Sequence, residues 1–159
     1  MKNISEHISY KEGTKSVTAI RKGLENIPTT EELSNMELIA EKIFEPLREY
    51  ANGPIKINSF FRSQSLNKAI GGASKNGIQT SQHCKGQAID IDDQYKYLTN
   101  AQMFHYIKNN LNFHKLIWEF GDELNPDWVH VSYISDKENK KESLVAYKEK
   151  GKTKYKFYG

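Results

Sequence analysis

The chain has 159 residues, of which 37% are hydrophobic and 27% are charged. This length allows one domain with a buried core, and a single cysteine excludes an intrachain disulfide. The net charge of +3 is too mild for a nucleic-acid-binding signature, and no segment approaches the ~18 apolar residues of a membrane span. We therefore expect one domain over residues 1–159, a monomer that neither binds nucleic acid nor inserts into a membrane.

The first third of the chain predicts helices. Residues 1–27 predict an N-terminal arm with a short helix. Thr29 and Glu32 have the spacing of a capping box, and apolar residues recur at helical spacing from there to about residue 50. Pro46 is expected to kink or shorten this helix near its end.

The remainder predicts short strands with few helices. Residues 65–70 predict one or two helical turns, and residues 71–80 predict a polar loop. A second helix, capped by Thr99 with Gln102, is predicted to end near residue 110. Strands are predicted over residues 55–60, 87–92, 115–120 and 128–134, with a hairpin formed by residues 144–148 and 155–157. Helices followed by a mainly antiparallel sheet indicate the α+β class.

The segment 136–159 is rich in lysine around this C-terminal hairpin. Lysines protect the exposed edge of a sheet from pairing with other chains, so we interpret the segment as a solvated hairpin edge. Weak attraction to an anionic polymer such as a bacterial wall is the alternative.

Two stretches carry residue types that bind metals. His83 and Asp90 lie seven residues apart. Residues 88–92 alternate as a strand, which places Asp90 on one face and the two isoleucines on the other. His130 lies between two valines in the second stretch, so it also faces away from the predicted core. Two imidazoles and a carboxylate suffice for a catalytic zinc with one open position. We predict that the stretches meet around one metal ion that hydrolyses an amide bond, although ordinary surface roles stay open for each residue.

Cys84, beside His83, is a further candidate ligand, because a thiolate binds zinc well. Adjacent side chains of an extended chain point to opposite faces, so we expect Cys84 to be a partly buried filler. The three other histidines, His7, His105 and His114, lie in poorer contexts for a metal site.

The two stretches resemble a known family. Ser81-x-His83-x-x-Gly86-x-Ala88-x-Asp90 and Trp128-Val129-His130 are similar to the signature of the zinc D,D- and L,D-peptidases of the M15 group, which have the hedgehog/D,D-peptidase fold. Residues 59–63 resemble the group's Ser-Gly-Tyr-Arg-Ser stretch, with phenylalanines in place of the Gly and the Tyr, and residues 65–72 resemble its continuation. Residues 116–121 are similar to small phage and bacterial members.

The resemblance implies a role for each matching residue. His83, Asp90 and His130 would bind one Zn²⁺, and Asp127 would be the general base, since the family places an acidic residue three before the last histidine. Arg62 would hold the scissile carbonyl oxygen or the oxyanion. Two further residues are expected near the substrate: Ser81 and Trp128.

The position of Asp127 raises a geometric difficulty. On a regular strand Asp127 and His130 point to opposite faces and lie ~10 Å apart along the chain. They converge on one metal only if the strand begins after Asp127, and Pro126 favours such a bend. If the strand is regular through Asp127, Glu119 is the alternative base.

The resemblance implies a zinc metallopeptidase that hydrolyses an amide bond in peptidoglycan stem peptides, as an endolysin-like L,D-endopeptidase or a D,D-carboxypeptidase. In having an Asp at position 127, the chain resembles the phage endolysins. The alternatives are a catalytically inactive, zinc-containing wall-binding or phage structural module, and a metal-free interaction domain. The N-terminal sequence lacks the apolar stretch of a signal peptide, so we expect synthesis in the cytoplasm and action on the cell wall after release, in a phage or prophage context.

Overall fold

The computed structural model describes residues 2–159; Met1, the first residue of the predicted arm, lies outside them. The helices are α1 (Tyr10–Thr14), α2 (Val17–Lys22), α3 (Thr30–Ile39), α4 (Glu45–Ala51), α5 (Gln64–Ile70) and α6 (Asn100–Asn110), with a π-helical turn at Ala40–Phe44 and a 3₁₀ turn at Gln82–Lys85. The strands are β1 (Lys56–Ser59), β2 (Ser74–Lys75), β3 (Ile78–Gln79), β4 (Ala88–Asp92), β5 (Lys115–Glu119), β6 (Trp128–Ser132), β7 (Glu142–Glu149) and β8 (Lys152–Phe157). The fold is α+β, as predicted.

The predicted long helix forms as α3, the π-helical turn and α4 in direct succession. The Thr29–Glu32 capping box opens it, with both reciprocal hydrogen bonds present. Pro46 lies in the first turn of α4 and has no N–H to donate. Just before it, the Glu45 N–H bonds to the carbonyl of Ala40, five residues back, so the interruption predicted at Pro46 is preceded by a π-helical turn.

The main sheet has six strands in the order β1-β4-β6-β5-β7-β8. One face packs on the helices, and alternation decides which residues reach that core. The β4 isoleucines and the β6 valines are at most 1% exposed and lie in the same core cluster as Met36 and Phe104. The opposite face therefore presents Asp90 and His130, as the alternation predicts.

Two features differ from the expected strand arrangement. β5 pairs with β7 in parallel, whereas the other neighbours of the six-stranded sheet pair antiparallel. The predicted loop at residues 71–80 contains the short hairpin β2–β3, which turns through Asn76 and Gly77 at positive φ. Within residues 2–159, the helices are all too short or too polar to cross a membrane.

Candidate metal centre

His83 is carried by a short turn that the surrounding sequence fixes. Ser81 caps the 3₁₀ turn, because its Oγ accepts a hydrogen bond from the His83 N–H at 3.2 Å. Gly86 ends the turn at φ 72°, a conformation that favours glycine. A Cβ at Gly86 would lie 2.4 Å from the backbone oxygen of Glu32 on α3. Packing against the helix therefore explains the glycine between His83 and Asp90.

The orientation of the His83 ring is set by the backbone. Its Nδ1 lies 2.7 Å from the carbonyl oxygen of Phe60, and a carbonyl only accepts, so Nδ1 carries the proton. The lone pair therefore lies on Nε2, which is buried and has no hydrogen-bond partner among residues 2–159. An unpaired buried acceptor is costly unless a ligand fills the position. A histidine that donates from one nitrogen and leaves the other free has the arrangement of a metal ligand.

Asp90 and His130 complete a three-residue cluster with His83. They are directly opposite each other on β4 and β6, with His130 Nδ1 2.9 Å from Asp90 Oδ1. His83 Nε2 lies 3.4 Å from the same oxygen. The three potential ligand atoms all lie within 4.8 Å of one another. The two histidines predicted as ligands are thus brought together with the predicted carboxylate.

The protonation states suit a metal. Burial lowers the pKa of His83, which keeps its imidazole neutral. Burial alone would raise the pKa of Asp90, but the neighbouring His83 and the hydrogen bond from His130 hold it well below its usual range. Metal ligands must be deprotonated, and a neutral imidazole with an ionised carboxylate meets that requirement. The donor set fits Zn²⁺.

One other group of residues within 2–159 could offer three ligands, namely Glu6, His7 and Glu45. His7 Nδ1 lies 2.6 Å from a Glu45 oxygen, and Ser5 donates to the other oxygen of the same carboxylate. Both Glu45 oxygens are therefore engaged in fastening the N-terminal segment to α4. This group therefore has a structural role at the surface.

Arg62 projects its guanidinium toward the ligand cluster. Its Nη2 lies 3.6 Å from Asp90 Oδ2. Its Nε donates to Ser59 Oγ at 3.2 Å and its Nη1 to Asn67 Oδ1 at 3.1 Å. The backbone N–H of Arg62 also donates a hydrogen bond to the backbone carbonyl of His83 at 3.2 Å. The guanidinium group of Arg62 is therefore held in one orientation beside the cluster.

Glu119 shares the face of the ligands. Ile117 pairs with His130 across β5 and β6, so alternation turns Glu119, two residues on, to the same side. The residue is buried, with 8% of its surface exposed. Burial raises its pKa to about 7, although the charges of His130 and Arg62 act in the opposite direction. A carboxyl that titrates near neutral pH beside a metal site is suited to move protons.

Asp127 occupies a different position. β6 begins at Trp128, so Asp127 lies just before the strand, as the resemblance requires. Its N–H donates to the Glu119 carbonyl at 2.9 Å, but its side chain is exposed. It lines a groove whose residues come from both faces of the sheet, with Trp118 on the core side and Ala146 on the side of Glu119. The structure therefore places a buried Glu119 on the ligand face, whereas Asp127 is exposed at the start of β6 and lies outside the three-residue cluster.

These features agree with a comparison against protein families. A family model described as Peptidase M15 matches residues 6–132. The chain belongs to the Peptidase M15 family. A search of curated proteins found no match to the chain.

In this M15 peptidase the environment of Cys84 differs from the sequence-based argument. The residue lies in the 3₁₀ turn, so the reasoning from an extended chain was wrong. Cys84 is nevertheless buried, and burial raises the pKa of its thiol. It does not belong to the ligand cluster.

Two further residues shape the site without having been expected there. Asn67 is fully buried and accepts from Arg62 while donating to the Ala73 carbonyl and Gln79 Oε1. A Cβ at Gly72 would lie 1.8 Å from Asn67 Oδ1. The resemblance of residues 65–72 to the family stretch was the available signal. Asn67 thus ties Arg62 to the β2–β3 segment.

Phe120 is the second unexpected residue. It has φ 58°, which is rare for a bulky side chain. Its ring packs against Trp128 at a centroid separation of 5.5 Å, and Lys148 Nζ lies 5.5 Å from its centroid. Trp128 is directly opposite Glu119 in the β5–β6 ladder. Phe120 and Trp128 therefore form an aromatic wall beside Glu119.

Proposed function

We propose that the protein is a zinc metallopeptidase that hydrolyses an amide bond in peptidoglycan stem peptides. The observation that carries this proposal is the buried, unpaired Nε2 of His83 within a cluster that also contains Asp90 and His130. Membership of the M15 peptidases supports hydrolysis of a peptide. The proposed substrate is a wall peptide, as the resemblance to wall-cleaving members implies.

The ligands in this proposal are His83, Asp90 and His130. One Zn²⁺ bound there would supply Lewis acidity toward the scissile carbonyl and lower the pKa of water. The other parts of the reaction belong to side chains around the cluster.

Glu119 is the proton carrier that the geometry favours. It faces the ligands, is buried, and has a pKa near neutrality. It would accept the proton of the attacking water and deliver it to the leaving amine. Asp127, which the resemblance implies as base, is exposed at the start of β6 and is the alternative proton carrier.

Arg62 is proposed to stabilise negative charge on the scissile carbonyl oxygen. A guanidinium stays charged and offers a planar set of donors, which suits an oxyanion. Its hydrogen bonds to Ser59 and Asn67 fix that plane before any substrate arrives. Fixed donors are more effective than donors that must reorganise during the reaction.

Two more residues have proposed roles toward the substrate. Ser81 caps the turn of His83, so its main role is to place that ring, with a position near the substrate as a second role. Trp128, with Phe120, would wall the cleft beside Glu119.

The bond cleaved is proposed to be that of an L,D-endopeptidase of the endolysin type or of a D,D-carboxypeptidase. Action on the wall after release, in phage lysis or wall remodelling, is part of this proposal.

Digestion of purified peptidoglycan tests the proposal. The full chain is incubated with sacculi in the presence of Zn²⁺ and, in parallel, with a chelator, and the released ends are identified by mass spectrometry. New amino termini indicate endopeptidase cleavage, whereas free D-alanine indicates a carboxypeptidase. Binding to sacculi without release of peptides would contradict hydrolysis and favour the wall-binding alternative.

A further inference from the structure

The C-terminal hairpin extends the face of the sheet that carries the ligand cluster. β7 and β8 lie beyond residues 6–132, which the family model matches. Glu119 on β5 pairs with Ala146 on β7, and Ala146 pairs with Tyr155 on β8. Directly paired residues of neighbouring strands project to the same face. Glu119, Ala146 and Tyr155 therefore form one row on the ligand face.

The residue in the middle of this row is small. Ala146 is fully buried and its methyl group adds little height between its neighbours. The larger side chains around Ala146 therefore close over it, and β7 is the one strand that separates Glu119 from Tyr155. Tyr155 is 55% exposed, so about half of this residue is open to a ligand.

The electrostatics of Tyr155 agree with this position. Partial burial raises the pKa of its phenol, and the negative charges of Glu119 and Asp90 add to the effect. The phenol therefore keeps its proton at neutral pH. A protonated phenol is available as a hydrogen-bond donor.

The opposite side of the cluster already has a donor. Arg62 comes from the segment after β1, at one edge of the sheet, and Tyr155 comes from β8 at the other. A peptide lying across the face between them would meet a guanidinium on one side and a phenol on the other. Two donors on opposite sides fix the register of an extended peptide better than one.

We propose that Tyr155 is a substrate-binding residue whose hydroxyl donates a hydrogen bond to a backbone carbonyl of the peptide that lies between Glu119 and β8. This inference rests on the proposed function. It assigns to the hairpin a part in recognition that the matched family segment does not contain.

The test compares Tyr155→Phe with a matched control on the same hairpin. Tyr147 is the neighbour of Ala146 on β7, so it projects to the opposite face, and Tyr147→Phe removes a hydroxyl of the same kind. We measure kcat, KM, zinc content and thermal unfolding of each full-length protein on a soluble wall peptide identified by the peptidoglycan digestion.

Tyr155→Phe is expected to lower kcat/KM roughly tenfold, mostly through KM, because one hydrogen bond to substrate is lost. Zinc content and unfolding temperature should match the wild type, and Tyr147→Phe should retain kcat/KM. If the wild type cleaves and Tyr155→Phe cleaves equally well, the role of Tyr155 is wrong while the proposed function stands. A loss of activity that accompanies loss of zinc would also overturn it, since the effect would then be structural. A wild type without any activity overturns the proposed function and the role of Tyr155 together.

Discussion

Nδ1 of His83 donates a hydrogen bond to the carbonyl oxygen of Phe60 at 2.7 Å. Phe60 lies two residues before Arg62, whose own N–H donates back to the His83 carbonyl. The segment that orients the imidazole is thus the segment that carries the guanidinium. This reciprocal pair couples the position of a metal ligand to the position of the oxyanion donor.

The ligand set predicts the result of removing His83. His83→Ala should lose bound zinc and wall-peptide cleavage together, because only two of the three ligands remain. Cys84→Ser, at the next position, is the matched control and should keep both, since Cys84 lies outside the cluster. Metal analysis of the dialysed proteins provides the measurement. Zinc loss in Cys84→Ser would place the thiol in the ligand set.

Two isosteric variants distinguish the candidate bases. Glu119→Gln should reduce kcat at least ~100-fold, the usual scale for losing general acid–base catalysis, with little change in zinc content. Asp127→Asn should have a much smaller effect, because its side chain is exposed and lies outside the buried cluster. The same peptide assay measures both. The reverse order of effects would show that Asp127 turns toward the metal during the reaction.

Burial of Glu119 predicts a pH-dependent stability of the metal-free protein. Its pKa is raised from 4.5 to about 7, so the folded state keeps a proton that the unfolded state releases. The contribution of Glu119 to the free energy of unfolding is therefore fully present at and below about pH 4.5. It is lost as the pH rises through about 7, and the loss amounts to about 3 kcal/mol at most.

Urea unfolding in chelator at several pH values tests this assignment. Glu119→Gln should gain stability relative to the wild type as the pH rises, because the variant carries no charge at that position. Glu123→Gln removes a carboxylate at an exposed position and is the control. A constant difference between Glu119→Gln and wild type across the pH range would contradict the assignment.

Gly86 supports a prediction about the geometry around His83. Gly86→Ala places a Cβ 2.4 Å from the Glu32 backbone oxygen at a positive φ, so it should destabilise the fold by about 2 kcal/mol or more. Gly71→Ala has a similar φ of 73° but no atom within 4 Å of its Cβ, so it should cost only the conformational strain, about 1 kcal/mol. Chemical unfolding of both variants measures the difference. Equal losses would mean that the contact with α3 relaxes freely.

Local patterns predicted much of the fold. The capping boxes at Thr29 and Thr99 formed because each depends on residues three apart in the chain. Alternation located the core side of β4 and β6, and with it the facing Asp90 and His130. These features are decided within a few residues and are therefore visible in the sequence.

Non-local features were not predictable in the same way. The parallel pairing of β5 with β7 joins residues far apart in the chain, and no local pattern encodes it. The choice between Glu119 and Asp127 depends on which sheet face each side chain reaches at the end of its strand. The row from Glu119 to Tyr155 exists only through the register of three strands. The cluster residues themselves remain predictions until a metal is measured.

The strand order has a consequence for local opening. β4 and β6, which carry Asp90 and His130, are each bonded to a neighbour on both sides, whereas β8 is an edge. Amide protons on the two ligand strands should therefore exchange with deuterium near the rate of global unfolding, and those of β8 much faster. The rigid strands would hold Asp90 and His130, and the strand that frays more easily would carry Tyr155. Such a division would let the outer strand adjust to different peptides while the ligand geometry stays fixed.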